Sequence, residues 1–392
     1  MVVFMKDEKF RVVFLRTNRI DPDPRVEKEI NSLLSTDKIV VDAVVWDRTE
    51  KYNKKEKIIN YSNGKFEVIQ FGIPATWGGG MKANFFPMLK FERKLFFWLL
   101  NNYKKYDCVH ACDLLTGLPA ILPCKIHHKK LVYDIFDYYA ATQHGPRWIL
   151  NFISKIENFV INRSNYTIIC SEKRKEQIAG ATPKKLIVLH NSPSQSQISA
   201  SLCSKLICKG NARKIKIVYV GNLVEDRQIM KAIDCIDDLD NVEFHIGGYG
   251  VLADDIYKIS QRDDKVFFYG KLQYADVLAL ERQCDIMLAL YDPAIPNHAY
   301  AAPNKFYEAL ALGKPIIMFA NTGMDIVVRE NQIGAVCDPT NDGIVCAIQS
   351  LISQKESWNS ISKKMKKMFK NEYSWDIMEK RLIDLYTDLA LK

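Results

Sequence analysis

No stretch of this chain approaches the ~18 consecutive apolar residues of a membrane span; the densest run is Leu95–Leu100. The first residues set Lys6, Asp7, Glu8 and Lys9 before the first expected strand, which is not the pattern of a signal peptide. A cytoplasmic protein is therefore expected. The ten cysteines include no Cys-x-x-Cys pair, so no metal site is expected and the thiols are read as reduced. No Gly-x-Gly-x-x-Gly follows the first apolar strand, which argues against a dinucleotide-dependent dehydrogenase. The Asp-x-Asp triplets Asp21-Pro22-Asp23 and Asp238-Leu239-Asp240 are not read as a site for a metal-bound diphosphate. Repeats of solenoid length, the compositional bias of disordered or fibrous chains, and a recognised nucleic-acid module are also missing.

What is present is a chain of 392 residues, 48% of them hydrophobic, with a net charge of +9. That length favours two domains. The modest positive charge suits anionic substrates or an anionic membrane surface. Short apolar runs alternate with helical patterns. Expected strands are Arg11–Leu15, Ile39–Trp46, Phe66–Phe71, Cys108–Ala111, Lys130–Asp134, Tyr166–Cys170 and Leu186–Leu189, with helices at Asp23–Leu34, Pro87–Tyr103 and Arg147–Arg163. The rhythm lapses in a Ser-, Asn-, Gly- and Lys-rich stretch from Asn191 to Arg213, read as a linker that includes Cys203 and Cys208. A second series follows at Ile215–Val220, Val242–Ile246, Val266–Tyr269, Ile286–Leu290, Ile316–Phe319 and Ala335–Cys337. Such alternation predicts an α/β protein of two Rossmann-like, doubly wound domains. The expected bounds are 1–193, a linker at 194–212 and 213–374. A final helix, 375–392, either packs back on the first domain or caps its own. Ligands of such sheets bind beyond the carboxyl ends of the strands, so a central cleft is the expected site.

The most informative segment is Ala302-Pro303-Asn304-Lys305-Phe306-Tyr307-Glu308-Ala309-Leu310-Ala311-Leu312-Gly313-Lys314-Pro315, followed at once by an apolar strand. A helix start offers unpaired N–H groups; with Asn304 and Lys305 beside them it forms an anion site. Glu308, one turn further in, can accept hydrogen bonds from vicinal hydroxyls. A phosphate grip and a hydroxyl grip a turn apart suit a nucleotide sugar. Upstream, Gly221-Asn222-Leu223-Val224-Glu225-Asp226-Arg227 takes a strand through a Gly turn into a helix. Arg227 is either a plain surface residue or a second phosphate cation, whose fork can bind two oxygens.

These blocks resemble the retaining glycosyltransferases of family 4, with the GT-B fold and of the kind that builds bacterial surface polysaccharides. The resemblance implies a donor diphosphate held by Arg227 and Lys305, and a ribose held by Glu308. Gly221, Asn222, Asn304, Gly247 and Gly248 (in His245-Ile246-Gly247-Gly248-Tyr249-Gly250), Tyr269 and Gly323 would line the donor. Tyr300 stands where the family often has a second Glu, and the common Gly-Phe-Gly run is absent, which leaves retention and recognition of the donor sugar open. On the acceptor side, Asp23-Pro24-Arg25-Val26-Glu27-Lys28-Glu29 is similar to the family's first-helix motif, with Arg19 and Arg25 as candidates for an acceptor phosphate. Val109-His110-Ala111-Cys112-Asp113 resembles its His-x-x-Asp segment, which makes His110 either a sugar contact or an ordinary core residue. Asp113, Asp134, Asp137 and Tyr138 would lie along the acceptor.

The expected activity is therefore metal-independent transfer of a hexosyl group from a nucleotide-diphosphate sugar to a glycan or polyprenyl-diphosphate-linked acceptor, with no cofactor. Two other readings stand beside it: a sugar-nucleotide epimerase of similar fold, and a non-catalytic nucleotide-sugar-binding subunit of an assembly complex. The segment Met88–Tyr106, rich in Lys, Arg and aromatic residues, fits a helix lying on an anionic membrane, which would place the protein at the inner face of the cell membrane. A buried helix with a basic edge explains it as well.

Overall fold

A computed structural model describes residues 9–76, 80–143 and 145–391. Lys6–Glu8 of the N-terminal reading, and Lys392 at the end of the final helix, lie outside the described residues. The chain divides into two compact units: one runs through Leu189 and takes up the chain again from Glu379, the other is His190–Met378.

The first unit is built on an eight-stranded sheet of β1 (Phe10–Arg16), β2 (Ile39–Asp47), β3 (Tyr52–Tyr61), β4 (Gly64–Gly72), β5 (Cys108–Cys112), β6 (Lys130–Ile135), β7 (Tyr166–Ile169) and β8 (Leu186–Val188). Its order is β3-β4-β2-β1-β5-β6-β7-β8. All neighbours are parallel except β3 and β4. Helices Gly80–Asn101, Leu114–Ile126 and Arg147–Arg163 cover one face. Phe91, Leu95 and Leu99 recur every fourth residue and are fully buried against Trp46, Ile69 and Val109. Removing such side chains from water contributes about 1.5–3 kcal/mol each.

The sequence reading had no counterpart for β3. Its residues Asn53, Lys54, Lys55 and Glu56 are exposed, and only Ile59 is buried. A strand at the sheet edge needs no apolar alternation, and charge there discourages edge-to-edge pairing. A two-residue turn, Ser62-Asn63, joins β3 to β4, with Gly64 opening β4 opposite Tyr61.

The second unit has a six-stranded parallel sheet of β9 (Ile215–Asn222), β10 (Val242–Tyr249), β11 (Val266–Phe268), β12 (Ile286–Ala289), β13 (Ile316–Phe319) and β14 (Gly334–Cys337), ordered β11-β10-β9-β12-β13-β14. This is the doubly wound order, with its topological switch between β9 and β12. Successive β9 residues feed opposite cores: Ile215, Ile217 and Tyr219 face the helices Ile229–Asp237 and Asn341–Ser353, while Val218 and Val220 face Asn304–Leu312. A strand buried on both faces reads as a continuous apolar run, which is why it was visible in the sequence.

The stretch expected as a linker, 194–212, belongs to the second unit. Its polar Ser194 and Gln197 form a reciprocal capping box that starts the helix Gln195–Ala200. The final helix, Trp375–Ala390, begins in the second unit and from Glu379 belongs to the first.

Candidate active site

The switch point of the second sheet gathers the donor-side candidates. β9 ends at Asn222, and the turn Glu225–Arg227 follows. Tyr291 follows β12, and the helix Asn304–Leu312 starts after a further turn at Pro296–Tyr300.

Lys305 is one residue inside that helix and only 8% exposed. Its Nζ lies 4.4 Å from the Tyr219 ring centroid. A Cβ added to Gly221 would come within 2.5 Å of the ammonium, so the glycine lets the backbone approach the cation. Among the described residues Lys305 forms no ion pair or hydrogen bond. A nearly buried ammonium without an anion is unfavourable, and the helix start does not relieve it. The arrangement calls for a bound anion.

Arg227 lies near the same place. Its guanidinium sits 3.9 Å from the centroid of the Tyr291 ring, bonds His298 Nε2 at 2.9 Å and pairs with Asp226 at 3.2 Å. The imidazole is fixed from behind by a 2.7 Å bond between Nδ1 and the Asp292 carbonyl, so Nδ1 donates and Nε2 accepts from the arginine. Burial first, then the Arg227 charge, lowers the His298 pKa and keeps it a neutral acceptor. Tyr291 is the common neighbour of the site. Burial pushes its phenol up, against the nearby positive charges of Lys305 and Arg227, and Glu308 adds a smaller upward push.

Glu308 is one helical turn from Lys305, 3% exposed, and accepts a 2.9 Å bond from the Tyr274 hydroxyl. Beneath it lies Glu281, fully buried on the helix Tyr274–Gln283, with neither carboxyl oxygen paired by an ordinary donor. Burial, then the charge of Glu308, drives the Glu281 pKa far up, while Lys305 pulls it down. Burial thus favours the neutral form of Glu281 beside Glu308. Nothing in the local sequence marks Glu281, Tyr274, Tyr291 or His298, because only tertiary packing brings them to the helix start.

The remaining donor candidates are arranged as follows. Asn222 is exposed, and its carbonyl accepts from the Tyr219 hydroxyl at 2.8 Å. A Cβ on Gly248 (φ 139°) would overlap the Gly221 carbonyl oxygen at 1.8 Å, so the ends of β9 and β10 meet because residue 248 is glycine. Gly247 packs against Val220 and Leu272. Asn304 is exposed and accepts from Asn191 at 2.9 Å. Gly323 (φ 80°) lies against the backbone of Ala301, where a Cβ would be 2.1 Å from a carbonyl oxygen. Tyr269 is placed otherwise than expected: its hydroxyl bonds His245 and the Lys209 amide, so its side chain belongs to a different cluster.

In the first unit several expectations need correction. His110 is 0% exposed in the middle of β5, stacked on Phe14 at 4.1 Å and bonded through Nδ1 to Tyr386 at 2.6 Å. Burial pushes its pKa down to about 4. It is a core histidine with no surface for a sugar. Arg25 is equally sealed, bonded to Glu29 at 3.0 Å and Asp134 at 2.5 Å. It holds two buried carboxylates and is not open to an acceptor phosphate, nor does buried Asp134 line an acceptor site. Tyr138 is buried too and bonds Ser154 and Asn158. The sequence showed the residues but not which face of the strand or helix each would take.

Arg19 and Asp137 remain exposed. Arg19 bonds Asp47 and Thr49; Asp137 accepts from Arg174 at 3.0 Å. Asp113 occupies the β5–helix turn at φ 66°, a strained value for a non-glycine residue. It accepts from Arg16 and from the Phe136 and Asp137 amides, which fixes the loop after β6. Beyond the ends of β2 and β4 lies a cavity of about 470 Å³ lined by Arg48, Thr49, Thr76 and Asn84.

Residues 209–368 match the family profile described as "Glycosyl transferases group 1". The whole chain resembles solved structures at low identity. Sucrose-phosphate synthase from Thermosynechococcus elongatus superposes with a TM-score of 0.74 at 14% identity, over 98% of this chain and 100% of that one. Anabaena Alr3699/HepE in complex with UDP gives 0.68 at 14% identity, over 97% and 100%. Trehalose 6-phosphate synthase from Burkholderia multivorans gives 0.68 at 8% identity, over 98% and 99%. No curated protein sequence is significantly similar. The fold is thus that of the GT-B glycosyltransferases, two Rossmann-like domains in one chain. The matched stretch lies within the second unit and includes Gly221, Arg227, Lys305 and Glu308.

Proposed function

We propose that the protein transfers a hexosyl group from a nucleoside-diphosphate sugar to a glycan or polyprenyl-diphosphate-linked acceptor, in surface-polysaccharide synthesis. The observation that carries this is the convergence of Lys305, Arg227 and Glu308 around Tyr291 and Tyr219, at the switch point of the second sheet and within the matched stretch. The two cations hold the diphosphate and neutralise the charge that grows on it as the bond from the sugar breaks, taking the place of a metal ion. Glu308, braced by Tyr274, accepts from the ribose hydroxyls. The Anabaena structure contains UDP, which makes UDP-sugars the first donors to try.

In the reaction the acceptor hydroxyl oxygen bonds the anomeric carbon while the carbon–phosphate-oxygen bond breaks. The acceptor proton passes to the departing diphosphate oxygen, and net retention follows from attack on the face the diphosphate leaves. The burial of His110 fits this route, since the first unit's conspicuous histidine is not available as a base. The cavity beside Arg48 and Thr49, with Arg19 at its edge, is the proposed acceptor pocket.

The acceptor class is supported by the outer face of three adjoining helices. Phe85, Phe86, Leu89 and Phe97, then Leu118 and Leu122, then Trp148 and Phe152 are all exposed, Phe86 by 78% and Trp148 by 72%. Lys90, Arg93, Lys125, Arg147 and Lys155 are interleaved with them. An apolar face with a basic fringe suits peripheral binding to an anionic membrane. No described helix is long and apolar enough to cross a membrane.

The test is turnover of donor in the presence of acceptor, with the product anomer read by NMR. Arg227→Ala, Lys305→Ala and Glu308→Ala are each expected to lower the rate at least tenfold, about 1.4 kcal/mol, with the fold intact by circular dichroism. Wild-type rates in all three variants would remove the site.

A further inference from the structure

Three sequence-remote residues of the second unit meet away from the donor site. Cys208 lies in the segment before β9, His245 in the middle of β10, and Cys284 just before β12. Their ligand atoms all lie within 4.8 Å of one another. The Cys208 Sγ is 3.4 Å from His245 Nδ1 and 3.9 Å from the Cys284 Sγ. Around tetrahedral zinc, with bonds of about 2.3 Å to sulfur and 2.0 Å to nitrogen, the corresponding edges come to about 3.8 Å between sulfurs and about 3.5 Å from sulfur to nitrogen.

From this geometry we propose that Cys208, His245 and Cys284 form a structural site for a thiophilic divalent cation, zinc above all. The Tyr269 hydroxyl, 2.9 Å from His245 Nδ1 and 3.8 Å from Cys208, marks the fourth corner.

The surroundings have the character of a metal site's outer layer. His245 Nε2 has no hydrogen-bond partner and faces the Glu243 carboxylate at 3.7 Å. With Nδ1 on the metal, Nε2 carries the proton and donates toward that acid, the pairing that orients a ligating imidazole. Lys216 Nζ donates to the Cys208 Sγ at 3.5 Å and to the Lys209 carbonyl at 2.8 Å. Two thiolates cancel the charge of the dication, and Lys216 and Glu243 cancel each other outside it. The thiolate is the form that ligates.

The ion would join the segment before β9 to β10 and to the start of β12, across the centre of the sheet. It has no part in holding the diphosphate. The site escaped the sequence because its cysteines are 76 residues apart, whereas the familiar zinc signatures are local.

The experiment is metal analysis of the purified full-length protein, followed by removal with a chelator and titration with zinc and with cobalt. Wild type is expected to take up one equivalent, to show thiolate-to-cobalt charge-transfer absorption, and to gain thermal stability on zinc addition. Cys208→Ser and Cys284→Ser should each weaken binding at least tenfold and abolish the charge-transfer band, and Glu243→Gln should weaken it about 10- to 100-fold. Cys203→Ser and Cys346→Ser, on exposed cysteines outside the cluster, should change neither. Wild-type protein that binds cobalt without the thiolate band, or equal zinc affinity in wild type and the Cys208 and Cys284 variants, would overturn the proposal. So would a Cys208–Cys284 disulfide in freshly purified protein. The cobalt spectrum of wild type keeps the test decisive if a variant fails to fold.

Discussion

Lys305 and Glu157 show how burial gives single residues opposite meanings. Lys305 is nearly enclosed yet makes no ion pair or hydrogen bond among the described residues, which marks it for a ligand. Glu157 is as deeply buried but satisfied: it accepts from the Tyr133 hydroxyl and from the Tyr139 and Ala140 amides, and supports the loop after β6. Burial outweighs those hydrogen bonds and raises its pKa from 4.5 to about 7. A carboxyl raised in the folded state binds its proton there more tightly than in the unfolded chain. Its contribution is complete below pH 4.5 and is lost as pH climbs to about 7. Thermal unfolding of wild type and Glu157→Gln should therefore show wild type losing stability relative to the variant across that window. Parallel curves would mean the carboxyl is not held protonated.

Among the elements, the helix Asn304–Leu312 and the turn after it set the geometry of the site. Gly313 closes the helix at φ 67°, its amide bonding back to Leu310, and a Cβ there would meet the Ser362 Oγ at 2.2 Å. Gly313→Ala is expected to destabilise the second unit by about 1–3 kcal/mol. Denaturant titration measures this, and an unchanged midpoint would contradict it.

The helix and the Gly-x-Pro turn were readable because helix start, carboxylate and stop lie consecutively in the chain. The apolar strands β9, β12 and β13 were readable as continuous runs. The edge strand β3 was not, since its charged residues fit a solvated loop equally well. His110 and Arg25 were misread for a related reason. A motif gives residue types and spacing, but whether a β5 side chain faces solvent or the Phe14 and Tyr386 packing depends on residues far along the chain. Glu281 and the cluster around Cys208 were hidden in the same way, each completed by distant partners.

For the whole molecule, two Rossmann-like units in one chain share the last helix in sequence, with Tyr386 returning to bond His110 across 276 residues. The exposed aromatic and basic face of the first unit gives a prediction at this scale. The protein should float with vesicles containing anionic phospholipid and not with neutral vesicles, and Phe86→Ser with Trp148→Ser should abolish flotation without altering the fold. Equal behaviour on both vesicle types would remove the membrane reading while leaving the donor site untouched.

The central claim is that a diphosphate is gripped by two cations at the switch point of the second sheet. Calorimetric titration of the intact protein with UDP, GDP, dTDP and ADP, repeated on Lys305→Ala and Arg227→Ala, tests it most directly. The account predicts single-site binding of at least one nucleotide, weakened tenfold or more in each variant. Binding of none of them, or equal affinity in wild type and both variants, would contradict it.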